Sequence, residues 1–162
     1  MKMPEPNEDV IRRSGELAGA LAAVLPQGAV LDREDQRRAY ESDGLTAYRQ
    51  MPLMVALPET TEQVSKVLRI CASFGAKVVP RGAGTSLSGG ALPLADGVLL
   101  GMARFNRILE VDYANRCVVA QPGVTNLGIS DAVGTEGFYY APDPSSQIAC
   151  TKIGRASCRE RV

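Results

Sequence analysis

The stretch that decides the fold reads Pro80-Arg81-Gly82-Ala83-Gly84-Thr85-Ser86-Leu87-Ser88-Gly89-Gly90. Four glycines stand among these eleven residues, with three hydroxyl side chains between them. Because glycine tolerates positive φ and carries no side chain, such a loop can turn a row of backbone N–H groups toward one anion. The charge of Arg81 can approach the same anion, or it can make a structural ion pair. The stretch, called the glycine-rich loop below, therefore indicates a phosphate site, with a flexible surface loop as the alternative.

The glycine-rich loop does not match two familiar nucleotide-binding patterns. It is not a Walker A loop, because no Gly-Lys-Ser/Thr follows the glycines. It also fits the Rossmann fingerprint poorly, since Leu87 stands where that pattern has a glycine. The glycines by themselves thus predict an anion site without deciding which nucleotide binds there.

Predicted parallel strands surround the loop. The apolar runs over residues 53–57 and 77–80 are typical of short buried strands. The helix between them has a capping box, Thr60 with Gln63, at its start and Gly75 at its end. A strand–helix–strand unit predicts two parallel strands. Ligands bind at the carboxyl ends of such strands, which is where the glycine-rich loop begins.

The remaining segments predict an α+β organisation. We expect one helix over 8–25 and a second from Asp32 to about residue 40. A strand is expected over 97–101, followed by an antiparallel hairpin of 108–113 with 116–121. A last helix is expected over 125–133, capped by Thr125. The strands up to about residue 101 would form a first α/β subdomain, and the hairpin would begin a second, antiparallel one.

Composition narrows the classes of function. The chain has 162 residues, with 18 Lys plus Arg and 18 Asp plus Glu, so its charge gives no reason to expect nucleic acid or an anionic membrane as partner. No run approaches the roughly 18 apolar residues of a membrane span. With no histidine, the chain excludes Ser-His-Asp and Cys-His catalysis within itself, and also flavin attached through histidine. The four cysteines lack CxxC spacing and are expected to be reduced thiols, and no metal site is predicted.

The glycine-rich loop resembles the pyrophosphate loop of the FAD-binding oxidases typified by vanillyl-alcohol oxidase and p-cresol methylhydroxylase. The segment Val119-Ala120-Gln121-Pro122-Gly123-Val124 is similar to the strand-end segment of that family. The segments Pro142-Asp143-Pro144-Ser145-Ser146-Gln147 and Ala149-Cys150-Thr151 are similar to the part that contacts the flavin. Residues 40–50 and 57–64 resemble more narrowly the flavoprotein subunit of bacterial glycolate oxidase, with D-lactate dehydrogenases close behind.

The resemblance implies a p-cresol methylhydroxylase-type FAD-binding domain that is incomplete in this chain, with FAD held non-covalently. We expect an N-terminal helical segment over 1–48, the truncated FAD-binding domain over 49–151 and a non-native tail over 152–162. A genuine basic extension is the alternative for the tail. The residues implied to bind the cofactor are Pro80, Arg81, Gly82, Ala83, Gly84, Thr85, Ser86, Leu87, Gly89, Gly90, Gln121, Pro122, Gly123, Pro142, Asp143, Pro144, Ser145, Ser146, Ala149 and Thr151.

The resemblance also implies an activity. That activity is FAD-dependent oxidation of a 2-hydroxy acid, glycolate or D-lactate, to the 2-oxo acid, with electrons passing to partner subunits and the quinone pool. The expected location is the cytoplasm, peripheral to the inner face of the bacterial membrane through those subunits. The catalytic and metal-binding residues are expected beyond this chain, so we expect the chain alone to be inactive. One alternative is a non-catalytic, truncated nucleotide-binding fragment, and another keeps FAD but changes the reaction.

Overall fold

A four-stranded sheet, a separate two-stranded sheet and five α-helices make up the part of the chain that the structure describes. The computed structural model describes residues 3–142 and 148–151. In chain order the elements are α1 (Glu8–Arg12), α2 (Ser14–Ala22), β1 (Val30–Leu31), α3 (Glu34–Arg37), β2 (Met54–Ala56), α4 (Thr61–Phe74), β3 (Lys77–Arg81), β4 (Gly97–Gly101), β5 (Ile108–Asp112), β6 (Cys117–Ala120) and α5 (Asn126–Val133). Short 3-10 turns follow α3 and α5.

The larger sheet has the strand order β1-β2-β4-β3. Both β2 and β3 pair with β4 in parallel, whereas β1 runs antiparallel to β2. The two strands joined by α4 are therefore parallel, as predicted, but β4 lies between them. All five residues of β4 are buried, as expected for an interior strand of a parallel sheet.

Helix α4 begins and ends where its sequence signals predict. The Thr60 hydroxyl accepts the Gln63 backbone N–H at 3.2 Å, and the Gln63 side chain accepts the N–H of Glu59 at 2.7 Å. At the other end Gly75 adopts a left-handed conformation with φ 70°, which a residue without a Cβ tolerates. The Thr60 cap and the glycine stop are thus confirmed, whereas the reciprocal bond of the predicted capping box goes to the N–H of Glu59 instead of Thr60.

The core lies between the sheet and the helices. Leu17 and Leu21 of α2 are fully buried in one cluster with Val67 of α4 and Val98 of β4. Burial of such side chains contributes about 1.5–3 kcal/mol each before the cost of ordering the chain. Helix α4 therefore packs against α2 as well as serving as the crossover between parallel strands.

The N-terminal part differs from the sequence prediction. The single helix predicted over 8–25 is wrong, because α1 and α2 meet at Arg13, whose ψ of 15° leaves the helical range. Apolar spacing continues across this break, so periodicity does not reveal it. The predicted cap Asp32 is also wrong, since Arg33 is the residue before α3. Strand β1, which the sequence does not predict, brings the segment over 1–48 into the sheet; the domain boundaries stay predictions.

The chain after β4 begins the second, antiparallel part. Strands β5 and β6 pair as the predicted hairpin, although each is shorter than predicted. Thr125 caps α5 as predicted, and its hydroxyl accepts the Gly128 N–H at 3.0 Å. The observed α+β organisation, with parallel strands first and an antiparallel hairpin second, matches the prediction.

Candidate functional site

The carboxyl ends of β3 and β4 lie side by side and form the base of the site. Arg81 and Gly101, the last residues of the two strands, are partners in the sheet. The N–H of Met102 donates to the Arg81 carbonyl at 2.8 Å, so the turn after β4 is fastened where the glycine-rich loop begins. Parallel strands place both loops at one sheet edge, where ligand sites form in such folds.

The segment 121–123 packs onto that turn. The Gly123 N–H donates to the Phe105 carbonyl at 2.6 Å, and a Cβ at Gly123 would lie 2.5 Å from the Met102 oxygen and 2.6 Å from that of Phe105. The Gln121 side chain accepts the N–H of Arg107 at 3.0 Å. A glycine is thus required at 123, and the predicted strand-end segment lies beside the ends of β3 and β4.

The last described segment also reaches the glycine-rich loop. The Thr151 hydroxyl accepts the Ala83 N–H at 3.2 Å, and Thr151 pairs with Thr125 in an isolated antiparallel bridge. The side chain of Asn126 donates to the Pro142 carbonyl at 3.3 Å. Three segments far apart in sequence therefore meet at one place. Of the remaining predicted residues, Ala149 is exposed, and Asp143, Pro144, Ser145 and Ser146 lie outside the described residues.

The backbone of the glycine-rich loop fits the pyrophosphate of FAD. Within the described ranges, no acceptor bonds the N–H groups of Gly84, Thr85, Ser86 and Leu87. Gly84 and Gly89 have φ of 72° and 75°, which turns successive peptide planes as an anion-binding concavity requires. The rest of the predicted loop comprises Pro80, Gly82 and Gly90, of which Pro80 and Gly90 are exposed. Unbonded donors of this kind are what a phosphate would satisfy.

The terminal nitrogens of Arg81 donate to backbone carbonyls of the protein. Its side chain is buried, and the guanidinium donates to the Tyr40 carbonyl at 2.9 Å and the Ser42 carbonyl at 2.5 Å. Burial lowers the pKa of Arg81, while the charges of Asp43 and Tyr40 oppose this by raising it. Arg81 therefore has a structural role, which it fulfils through hydrogen bonds to carbonyls and not through the predicted ion pair. A direct phosphate contact by Arg81 stays a prediction.

The sequence does not predict that Arg81 donates hydrogen bonds to the segment of Tyr40 and Ser42. Tyr40 and Asp43 stand in a stretch that resembles the family, but neither has a local pattern that reveals a site. Gly44 is the one signal available, because a glycine after Ser42-Asp43 predicts a turn. The contact between this segment and the glycine-rich loop appears only in three dimensions.

Neither a metal site nor a membrane-spanning helix is found among the described residues. Among residues 3–142 and 148–151, no group of three His, Cys, Asp or Glu side chains could hold a metal ion. Within the same ranges, no helix has the length and apolar character needed to cross a membrane.

Comparison with known proteins identifies the family. The profile described as "FAD binding domain" matches residues 52–157, more than half of the chain. The chain belongs to the FAD-binding domain family. The predicted family and its cofactor, FAD, are confirmed, while non-covalent attachment stays a prediction.

Two relatives of this FAD-binding domain are named as an oxidase subunit and a dehydrogenase. The chain is 53% identical over 138 residues to "Glycolate oxidase subunit GlcD" of Escherichia coli strain K12. This match covers 85% of the chain and 28% of that protein. It is 28% identical over 135 residues to "Probable D-2-hydroxyglutarate dehydrogenase, mitochondrial" of Oryza sativa subsp. indica. That match covers 83% of the chain and 24% of the relative. The chain thus spans about a quarter of the length of these relatives.

A solved structure supports the fold. The crystal structure of p-cresol methylhydroxylase with substrate bound superposes on the domain with a TM-score of 0.69 at 22% identity, covering 83% of this chain and 27% of that one. The predicted p-cresol methylhydroxylase-type fold is confirmed.

Proposed function

We propose that this FAD-binding domain serves the oxidation of a 2-hydroxy acid, glycolate or D-lactate, to the 2-oxo acid. In this proposal it is part of the flavoprotein subunit of a glycolate oxidase-type dehydrogenase. The observation that carries the cofactor site in this proposal is the meeting of the glycine-rich loop, the turn at Gly123 and Thr151 at one sheet edge. The identity of 53% to the glycolate oxidase subunit of Escherichia coli supports the choice of substrate.

The residues of the chain act in binding and orientation. The N–H groups of Gly84, Thr85, Ser86 and Leu87 would hold the pyrophosphate, since each hydrogen bond to a charged group contributes about 1.5–3 kcal/mol. Thr151 and the turn at Gly123 would form walls on either side. Bound FAD would supply two-electron, hydride-accepting chemistry, and the hydroxyl proton of the acid would be lost in the same conversion to the 2-oxo acid. No catalytic residue is assigned within the chain.

The proposal includes partners and a location. Electrons would leave the flavin for partner subunits of the complex and then for the quinone pool. The subunit would work in the cytoplasm, held at the inner face of the membrane by those partners. Co-purification of tagged full-length protein with membrane-associated subunits would support this part of the proposal, and its recovery as a lone protein in the cytosolic fraction would refute it.

Binding of FAD by the chain is the first test. We expect the purified chain to take up added FAD, which fluorescence quenching and the visible flavin bands would report. A matched variant, Gly123→Ala, should bind FAD more weakly, because its Cβ would meet two backbone oxygens. A folded wild-type chain that takes up no FAD would contradict the proposed site.

The reaction needs a second test, which grafts the chain into a complete relative. Its 138 matched residues would replace the corresponding segment of the Escherichia coli glycolate oxidase subunit. We expect the chimera to reduce a dye with glycolate or D-lactate, and we expect the isolated chain to show no turnover. A chimera that binds FAD but oxidises neither acid, nor D-2-hydroxyglutarate, would refute the reaction while leaving the cofactor site intact.

A further inference from the structure

A short segment before β2 lies directly against the glycine-rich loop. Residues 40–44, called the backing segment below, end at Gly44. A Cβ there would lie 2.9 Å from the Ser86 carbonyl oxygen and 3.0 Å from the carbonyl carbon of Thr85. Backbone atoms cannot rotate away as a flexible side chain can, so no side chain fits at position 44. The backing segment thus supports the loop as backbone against backbone.

Arg81 fastens the backing segment to the base of the loop. Two of its guanidinium nitrogens donate to the carbonyls of Tyr40 and Ser42, and its guanidinium carbon lies 5.8 Å from the centroid of the Tyr40 ring. A planar guanidinium can bond two carbonyls in a fixed geometry, whereas the single ammonium of a lysine cannot reproduce that fork. The arrangement is therefore specific to arginine.

The loop closes over the same guanidinium. Gly84 has φ 72°, and a Cβ there would lie 2.5 Å from the Arg81 Nε and would also overlap the Nη2 atom. Arg81 is thus enclosed between the backing segment on one side and the loop at Gly84 on the other. Movement of its side chain would displace the N–H groups that are predicted to bind the pyrophosphate.

A buried carboxylate completes this arrangement. Asp43 is 5% exposed, and one of its oxygens accepts the Leu45 N–H at 2.9 Å. The other oxygen is buried and has no hydrogen-bond partner in the part of the chain that the structure describes. A buried polar atom without a hydrogen bond is costly, and the attraction between Asp43 and the Arg81 cation, which raises the pKa of Arg81, offsets part of that cost.

We propose that Arg81 is a positioning residue, which clamps the backing segment beneath the glycine-rich loop and thereby sets the shape of the loop for FAD. On this proposal Arg81 does not act as a direct ligand of the phosphate. The proposal rests on FAD binding and is independent of which hydroxy acid is oxidised. It adds Tyr40, Ser42, Asp43 and Gly44 to the residues on which cofactor binding depends.

The test compares variants that change shape with variants that change charge. Gly44→Ala removes no charge and no donor but pushes the backing segment away. Arg81→Lys keeps the charge but loses the fork, and Arg81→Met loses both. Gly134→Ala is the matched control, because a Cβ there meets nothing within 4 Å. The measurements are the Kd for FAD, the backbone amide chemical shifts of residues 82–90 without FAD, and urea unfolding.

We expect Gly44→Ala and Arg81→Lys each to raise the Kd for FAD by about tenfold or more, because the loop donors lose their alignment. The amide chemical shifts of residues 82–90 should change in both variants and stay at their wild-type values in Gly134→Ala. Arg81→Lys should bind FAD no better than Arg81→Met. The double variant Gly44→Ala with Arg81→Lys should lose little more than either single one, since both break the same unit.

Either of two outcomes would overturn the proposal. In one, Arg81→Lys binds FAD within about twofold of wild type while Arg81→Met does not, which would assign Arg81 to the phosphate by its charge. In the other, the loop amide chemical shifts of folded Gly44→Ala equal those of Gly134→Ala. If Gly44→Ala does not fold, the comparison of Arg81→Lys with Arg81→Met decides. The loop amide chemical shifts report on the shape of the loop even where wild-type FAD binding is weak.

Discussion

Replacing Asp96 with alanine should destabilise the fold without touching the cofactor site. Asp96 is 2% exposed and precedes β4 directly. One carboxylate oxygen accepts the Asn7 N–H at 2.9 Å and the Lys77 ammonium at 2.7 Å. These bonds join the start of α1 to the start of β3, at the end of the sheet opposite to the glycine-rich loop.

The magnitude follows from those two bonds. A hydrogen bond to a charged group contributes about 1.5–3 kcal/mol. The Lys77 side chain is 41% exposed, so solvent screening reduces its share to about 1 kcal/mol or less. Asn7 is exposed, and its N–H can bond water once the carboxylate is gone. We therefore expect Asp96→Ala to lower the free energy of unfolding by about 2–3 kcal/mol.

The assay is urea unfolding of the chain, with FAD titration beside it. Asp96→Asn keeps an oxygen for the Asn7 N–H and should cost about half as much as Asp96→Ala. Asp131→Ala, on an exposed position of α5, is the control and should stay within about 0.5 kcal/mol of wild type. The folded fraction of every variant should bind FAD with unchanged affinity. A loss below about 0.5 kcal/mol in Asp96→Ala would refute the reasoning.

The same carboxylate makes a prediction about pH. Burial raises the pKa of Asp96, but the bonds from Lys77 and the Asn7 N–H outweigh it, so the pKa is lowered from its ordinary value of 3.8. A lowered folded-state pKa adds stability above the unfolded-state value, and this contribution disappears as the pH falls through the folded-state pKa. The stability gap between wild type and Asp96→Asn should be full at neutral pH and should shrink below about pH 4. A gap that widens on acidification would contradict this account.

Three further outcomes can be checked with the same material. Gly123→Ala should lower the free energy of unfolding by more than about 2 kcal/mol in urea titrations, because its Cβ would lie 2.5 and 2.6 Å from two backbone oxygens. Thr60→Ala should cost about 1 kcal/mol by the same measurement, because the Gln63 N–H loses its capping oxygen. Burial raises the pKa of Cys71 to about 11, so mass-spectrometric mapping after iodoacetamide treatment near pH 8 should find exposed Cys117 modified and Cys71 intact.

The sequence by itself determined the features that depend on neighbours along the chain. The cap at Thr60, the stop at Gly75 and the cap at Thr125 each need only a few consecutive residues, and all three appear as predicted. The glycine-rich loop belongs to the same class, because the freedom of glycine at positive φ is a property of the residue itself. The resemblance of these local segments to known sequences is also sufficient to predict the family and its cofactor FAD, both of which are confirmed.

Tertiary structure alone decided which distant groups meet. The position of β4 between β2 and β3, the pairing of the short strand β1 and the break at Arg13 leave no mark on periodicity. Arg81 shows this most clearly, because its partners at Tyr40 and Ser42 are 41 and 39 residues away. Its charge is consistent with both a phosphate and a protein partner. The choice depends on burial and on which carbonyls the packed chain brings within reach, and those are set by the core and not by any local pattern.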